Sequence, residues 1–287
     1  MLHAMSRGKV SLVGAGPGDP GLLTLRALLR LNAADVVIYD RLVSKAVLGL
    51  IPAGVVRVYG GKEPGSKGRR AQGKLNRLML SEARSGRKVV RLKGGDPFLF
   101  SRGGEEAEFL RAHGVKFEVV PGVSSALAVP AYAGIPLTHR DYSSSVTFVT
   151  GHEAGPKRKL DWSKIAGGSD VVVVLMGAAT LRKIATRMLR AGRPPGTPVA
   201  AIMRGTTSRQ TTVTMTLSDA AKSRGHAKEV EAPSVIVIGR IVSLARKLKW
   251  VPEKKAAETS ARPHGAASGS LERPRRSRTP RSLRPRT

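Results

Sequence analysis

The chain has 287 residues, 41% of them apolar, enough to bury two modest cores or one large one. It has no cysteine, which excludes disulfides, thiolate metal sites and cysteine nucleophiles. Lysine and arginine number 50 against 20 aspartates and glutamates, and the net charge of +30 points toward an anionic partner without choosing one.

The opening MLHAMSRGK lacks the long apolar core of a cleavable leader, and no apolar run approaches membrane-spanning length. The expectation is a soluble cytoplasmic protein with no membrane partner and a short amino-terminal extension, residues 1–8. Lys9 to Val13 reads as a strand, followed by the glycine-rich GAGPGDPG and by leucines at helical spacing from Leu22 to Leu31. Further strands are predicted over Val36 to Tyr39, Val55 to Tyr59, Val89 to Lys93 and Phe117 to Val120. Helices are predicted over Gln72 to Ser85, Gly104 to His113 and Ser124 to Ala133. This alternation argues for an α/β domain with a mostly parallel sheet covered by helices.

A second half begins near Tyr142, with the boundary around Asp141 to Ser145. Its predicted strands are Ser145 to Thr150, Val171 to Met176, Val199 to Met203, Gln210 to Thr216 and Ser234 to Ile238. A helix over Ala179 to Ala191 is stopped by Gly192 and the prolines behind it. The threonine-rich run Gln210 to Thr216 suits an antiparallel partner. The predicted organisation is therefore α/β domains over residues 9–141 and 142–250, then a disordered basic tail over 251–287. Glu253 to Thr287 carries 10 basic and 3 acidic residues, which leaves +23 on the body. Aromatic content is only 4%, so stacking platforms for nucleic acid are not expected, and any such contact would fall to the tail.

The most informative stretch is GGDPFLFSRGGEE, Gly94 to Glu106, directly behind the apolar strand VVRLK. Open α/β sheets place their ligands at the carboxyl ends of strands. Gly94 and Gly95 let a flat ligand approach the main chain, Asp96 can accept from a ribose hydroxyl or an ammonium, and Pro97 stiffens the exit. The competing reading of an isolated GGDP is a tight turn that caps a helix. The first glycine loop imitates a dinucleotide fingerprint but breaks it. A GxGxxG pattern needs glycine where Asp19 stands, and Pro17 and Pro20 keep a helix from starting against a pyrophosphate. A loop shaping some other cofactor pocket fits better.

Charged groups recur beside these turns. YDRLVS places Asp40 and Arg41 at a strand end, YGGKEPG places Lys62 on a glycine-flexible loop, SRGGEE supplies Arg102, Glu105 and Glu106, and Arg140 closes THR. Arginine forks facing a cleft would form an anion-binding rim. Helix caps and solvated surface charge are the plainer alternative. Ser124 and Ser125 open a helix behind PGV, either capping it or facing a cofactor cleft. The six histidines show no metal-ligand spacing, and no HExxH, GxSxG or Ser-His-Asp pattern appears. Neither a metal site nor acyl-transfer chemistry is expected.

Taken together, GAGPGDPGLLTL, YDRLVS, YGGKEPG, VVRLKGGDPFLFSRGGEE and VPGVSSALAVPAYAGIPLTHRDYSSSVTFVTGH resemble the tetrapyrrole methylases. The resemblance runs in uninterrupted order from about Lys9 to Trp250, through VVVVLMG, RGTTSRQ and PSVIVIGRIV. YDRLVS and GIPLTHRDY single out the branch that C-methylates uroporphyrinogen III. The resemblance implies two α/β domains with mixed sheets, S-adenosyl-L-methionine in the cleft between them, and a homodimer. It implies cofactor contacts at Pro17, Gly94, Gly95, Asp96, Leu99, Ser124, Ser125, Met176 and Gly205. It also implies methyl transfer to two pyrrole carbons of uroporphyrinogen III in succession, through precorrin-1 to precorrin-2, with the spent donor leaving as S-adenosyl-L-homocysteine.

On the family's motif positions, Asp40 is a candidate base and Lys62 a candidate acid. Arg102, Glu105 and Arg140 are rival candidates for clamping the substrate's carboxylate arms or moving a proton. A lysine near its ordinary pKa of about 10 shuttles protons poorly at neutral pH unless desolvated. Two departures stand out. Ser101 occupies a position where the family commonly has glycine, which would tighten the loop, and the arginine-rich tail lies outside the family pattern. The family's bifunctional forms carry an amino-terminal dehydrogenase and chelatase segment. Here about eight residues precede the first strand, so oxidation and metal insertion are expected elsewhere.

Overall fold

The computed structural model describes residues 8–61, 68–152 and 160–252. Lys62, most of the amino-terminal extension and nearly all of the basic tail lie outside the described residues. The first half builds a five-stranded sheet from β1 (Lys9–Gly14), β2 (Val36–Tyr39), β3 (Val56–Tyr59), β4 (Val89–Lys93) and β5 (Lys116–Val120). Their order is β3-β2-β4-β1-β5, and every neighbouring pair is parallel. The central β1 and β4 are buried almost throughout, whereas the edge strand β3 is largely exposed. Both sheet faces are therefore covered, which explains why β1, β2 and β4 read as near-continuous apolar runs.

The connecting helices are α1 (Leu25–Asn32), α2 (Lys45–Leu48), α3 (Gly68–Arg84), α4 (Gly103–Ala112) and α5 (Ser125–Tyr132). One face of the sheet packs Val13, Val37, Val90 and Leu92 against Ala27, Leu31 and Val47. The other packs Val10, Leu12, Ile38 and Val89 against Leu75, Met79 and Leu110. The helix expected from Leu22 begins instead at Leu25. Asp19 first caps a tight turn over Pro20–Leu22, and the Thr24 hydroxyl then accepts from Ala27 N at 3.2 Å, so local capping overrides the leucine spacing. As a result Leu25 and Leu29 face outward.

The second sheet holds β6 (Val146–Thr150), β7 (Val171–Leu175), β8 (Pro198–Met203), β9 (Thr211–Thr216) and β10 (Ser234–Ile238), in the order β6-β7-β10-β8-β9. β6 and β7 are parallel and the remaining pairs antiparallel, the threonine-rich β9 among them. Its helices are α6 (Trp162–Gly168), α7 (Leu181–Arg190), α8 (Leu217–Lys222) and α9 (Ala245–Leu248). α2, α6 and α8 are too short for periodicity to reveal, and their caps start them. Ser44, Asp161 and a Thr216–Asp219 capping box accept the first free amides.

α5 joins the halves. It leaves the carboxyl edge of the first sheet, yet Ala126, Val129 and Ala133 pack on the second sheet against Val171, Val173, Ile202 and Val235. The opposite face of that sheet is closed by Trp162, Leu181, Ile184, Met188 and Leu217.

At the sheet edge, Glu118 accepts from Ser11 Oγ at 2.7 Å and pairs with Arg30 at 2.5 Å and Lys9 at 3.2 Å. Burial alone would raise its carboxyl, but the hydrogen bonds from Arg30, Ser11 and Lys9 outweigh it and bring the pKa down to about 2. A depressed carboxylate stabilises the fold above its unfolded pKa and loses that contribution as pH falls through its folded value. Thermal midpoints measured from neutral pH to pH ~2 should fall less steeply for Glu118→Gln than for the natural chain, with the difference opening below pH ~4.5.

Candidate active site

Because the first sheet is wholly parallel, the segments after Gly14, Tyr39, Tyr59, Lys93 and Val120 all emerge at one edge. Three of these segments touch through backbone alone. A Cβ on Gly122 would stand 2.5 Å from Gly95 O and 2.7 Å from Gly14 Cα, and one on Gly14 would stand 2.6 Å from Gly122 N. Gly16 and Gly95 exchange backbone hydrogen bonds of 3.2 and 2.8 Å, and Ala15 N donates to Lys93 O at 2.7 Å. Gly95 also takes a φ of 67°, which suits glycine. The same residue lies against the start of α5, with Ser125 N 3.7 Å from where its Cβ would be.

Asp96 organises this turn. Its Oδ1 accepts from Phe98 N at 2.7 Å and its Oδ2 from Gly122 N at 3.1 Å, so the carboxylate ties the β4 turn to the β5 turn. Ser101 Oγ donates to Asp96 O at 2.8 Å and also to Pro97 O. The Ser101 hydroxyl thus stitches the loop to itself. Leu99 packs against the core that α5 shares with the second sheet. Ser124 is buried and caps α5 through Ala126 N at 3.2 Å.

The charged candidates separate into exposed and buried sets. Arg102 and Glu105 pair on the surface at 2.5 Å, and the hydrogen bond from Arg102 lowers the Glu105 carboxyl. Arg41 and Arg140 are exposed, the latter on a turn closed by two backbone hydrogen bonds of 2.9 Å between His139 and Ser143. Glu106, by contrast, is completely buried beneath β4. It meets Arg91 Nε at 3.2 Å, Lys93 Nζ at 3.0 Å and Gln72 Nε2 at 3.1 Å. Arg91 in turn reaches Asp40 Oδ1 at 2.5 Å. Burial, aided by the Arg91 charge, pushes the Lys93 ammonium below the ordinary lysine range. Arg91 and Lys93 carry no weight in the sequence reading because they sit inside what looks like a plain buried strand. Their alternation, i and i+2 on one face, is the available signal.

The second half contributes the ends of β7 and β8. Met176 is exposed with φ 56°, and Arg204 and Thr206 have φ values of 49° and 62°. Among the described residues, every positive-φ non-glycine except Ser223 lies on these loops or in the Phe100–Arg102 turn. Such strain persists only where the surroundings impose it, and it gathers at working edges. Thr206 Oγ1 accepts from Asp19 N at 3.2 Å, Tyr132 OH donates to Asp19 Oδ2 at 2.7 Å, and Ser44 Oγ donates to Gly18 O at 2.7 Å. Gly205 packs against Val129, where a Cβ would come within 2.4 Å of a methyl. The structure therefore brings Pro17, Gly94, Gly95, Asp96, Ser124, Ser125 and Gly205 into one connected set of turns. Gly122, Ser44 and Thr206 are parts of it that the sequence reading missed.

Residues 9–221 match the family model of the Tetrapyrrole (Corrin/Porphyrin) Methylases. The chain belongs to this family. A Methanosarcina barkeri protein named S-adenosyl-L-methionine-dependent uroporphyrinogen III methyltransferase is 48% identical over 239 residues, covering 83% of this chain and 93% of its own. A siroheme synthase of Neisseria meningitidis serogroup A is 48% identical over 257 residues, 90% of this chain but 52% of its own, so the chain spans about half the length of that relative. The crystal structure of uroporphyrin-III C-methyl transferase from Thermus thermophilus, complexed with S-adenosyl homocysteine, superposes with a TM-score of 0.73 at 43% identity. It covers 83% of this chain and 100% of that one.

The tetrapyrrole methylase edge rests on contacts that no side chain can occupy. Gly122→Ala should lower stability by about 1–3 kcal/mol in urea denaturation, because all three atoms it would strike are backbone. Gly54→Ala, which meets nothing within 4 Å, should stay within about 0.5 kcal/mol of the natural chain.

Proposed function

We propose that the chain is an S-adenosyl-L-methionine-dependent C-methyltransferase that converts uroporphyrinogen III to precorrin-2 by two successive methylations, through precorrin-1. The observation that carries this reading is the match, at 48% identity over 93% of its length, to a relative named for that donor and that substrate. The Thermus thermophilus relative complexed with S-adenosyl homocysteine supports the choice of donor. Residues 9–141 and 142–250 are read as the two domains that wall the cleft. We place the activity in a homodimer, as the family resemblance implies, and assign it to the cytoplasm.

The residues fit a flat, cationic donor. Glycines at 14 and 122 let main chain meet main chain at this edge, and Gly95 leaves peptide group where a side chain would stand. Asp96, half-buried, retains lone pairs beyond the two hydrogen bonds it accepts from backbone amides for a ribose hydroxyl or an ammonium. Pro17, Gly94, Ser124, Ser125 and Gly205 would line the same edge, with Leu99 and Met176 giving apolar contact. The donor supplies a methyl group made electrophilic by the sulfonium. The work left to the chain is to align the reacting carbon, to exclude water and to manage the proton lost as the pyrrole rearranges.

In this reading Asp40, at the end of β2, takes that proton, and Lys62 is the candidate acid. Arg140 makes no ion pair among the described residues and is assigned to the substrate's carboxylate arms. Arg102 and Glu105 form an exposed pair that an incoming carboxylate can open. The positive body would also raise the encounter rate with a polyanionic ring.

Incubation with uroporphyrinogen III and labelled S-adenosyl-L-methionine should give a dimethylated macrocycle, and absence of label in the ring would end the reading. Asp96→Ala should weaken S-adenosyl-L-homocysteine binding about tenfold or more by calorimetry, since it removes two hydrogen bonds from backbone amides that shape the turn. Arg140→Ala should instead raise KM for the macrocycle about tenfold with kcat little changed. The opposite pattern would exchange the two assignments.

A further inference from the structure

Arg91 is only 2% exposed, and all three of its guanidinium nitrogens are engaged. Nη2 meets Asp40 Oδ1 at 2.5 Å, Nε meets Glu106 Oε1 at 3.2 Å, and Nη1 donates to the carbonyls of Ile38 at 3.3 Å and Leu92 at 3.2 Å. The plane of the fork is thereby fixed from two neighbouring strands and a helix. Glu106 is shared with Lys93 Nζ at 3.0 Å, and Gln72 holds the same carboxylate from α3. Two cations and two carboxylates balance to neutrality beneath the sheet edge.

Stability alone is a poor reason for such a cluster. Burying ions costs several kcal/mol each, and apolar residues of similar size often serve a core as well or better. Val89, on the same face of β4, shows the apolar solution that the strand uses one turn of the pleat away. What the arginine does and an apolar residue cannot is hold Asp40. That carboxylate is the one member of the cluster that reaches the surface, with 29% of its side chain exposed. Its Oδ1 is taken by Arg91, and its Oδ2 makes no hydrogen bond among the described residues.

We propose that Arg91 is a positioning residue that orients Asp40 through a fixed guanidinium, with Glu106 and Lys93 completing its charge balance, so that Asp40 Oδ2 faces the substrate. The arrangement also couples two loops. Glu106 lies in the first turn of α4, directly behind the Gly94–Arg102 turn, so the helix that closes the donor turn also anchors the arginine that aims the base. This inference rests on the methyltransferase reading and on Asp40 as the proton acceptor.

The test is a double-mutant cycle. Arg91→Lys keeps the charge but cannot span Asp40, Glu106 and two carbonyls at once. Steady-state kcat and KM, thermal midpoints and the Kd for S-adenosyl-L-homocysteine are measured for the natural chain, R91K, D40N and the R91K/D40N double variant. R91K is expected to lower kcat about thirtyfold while KM and Kd stay within about twofold, and to cost nothing further in the D40N background. A loss of kcat that is as large in the D40N background as in the natural chain overturns the proposal. So does a loss confined to donor Kd. Should R91K fail to fold, E106Q takes its place in the same cycle and is judged by the same two outcomes. A natural chain that transfers no methyl group overturns the function and this inference together. An active natural chain with additive losses overturns this inference alone.

Discussion

The working edge depends on one steric fact: three strand ends meet main chain to main chain at residues 14, 95 and 122. A side chain at 14 or 122 would have to occupy space already filled by a neighbouring carbonyl, amide or Cα, and at 95 the positive φ of 67° is what asks for glycine. With the glycines in place, the turns after β1, β4 and β5 interlock through the paired amides of Gly16 and Gly95 and through the carboxylate of Asp96. The surface left behind is peptide group rather than side chain. That surface suits a ligand recognised by shape and by hydrogen bonds to main chain.

The same edge is built from both halves because α5 belongs to both. Its first turn, capped by Ser124, continues the glycine turns, while its apolar residues close the second sheet. Tyr132, at its far end, holds Asp19 of the first glycine loop, and Thr206 takes the Asp19 amide from the other side. The Asp19 bond holds the Tyr132 hydroxyl proton strongly enough to push its pKa up to about 12. A loop gripped in this way cannot move independently of the second sheet. Thr206, which has a positive φ of 62°, is itself part of that grip.

Charge is used in two distinct ways. Arg41 and Arg140 are exposed to solvent beside the strand-end turns. The four groups under β4 instead form a neutral set in a low-dielectric setting, where geometry rather than net charge is what they contribute. The two neighbouring glutamates at the start of α4 illustrate the division. Glu105 turns outward to Arg102, and Glu106 turns inward to Arg91 and Lys93.

The sequence alone determined the strands, the parallel character of the first sheet, and the turns that carry glycine, aspartate and serine. Hydrophobic runs and glycine placement are local properties of the chain, and they survive folding. The short helices at Lys45, Trp162 and Leu217 escaped because a cap and a few residues carry too little periodicity to read. Only the tertiary structure decided that Gly122 belongs with Gly14 and Gly95, that Glu106 rather than Glu105 is buried, and that Arg91 reaches across to Asp40. Each of those facts depends on which strands become neighbours, and strand order in a parallel sheet is set by long-range packing that no stretch of sequence contains.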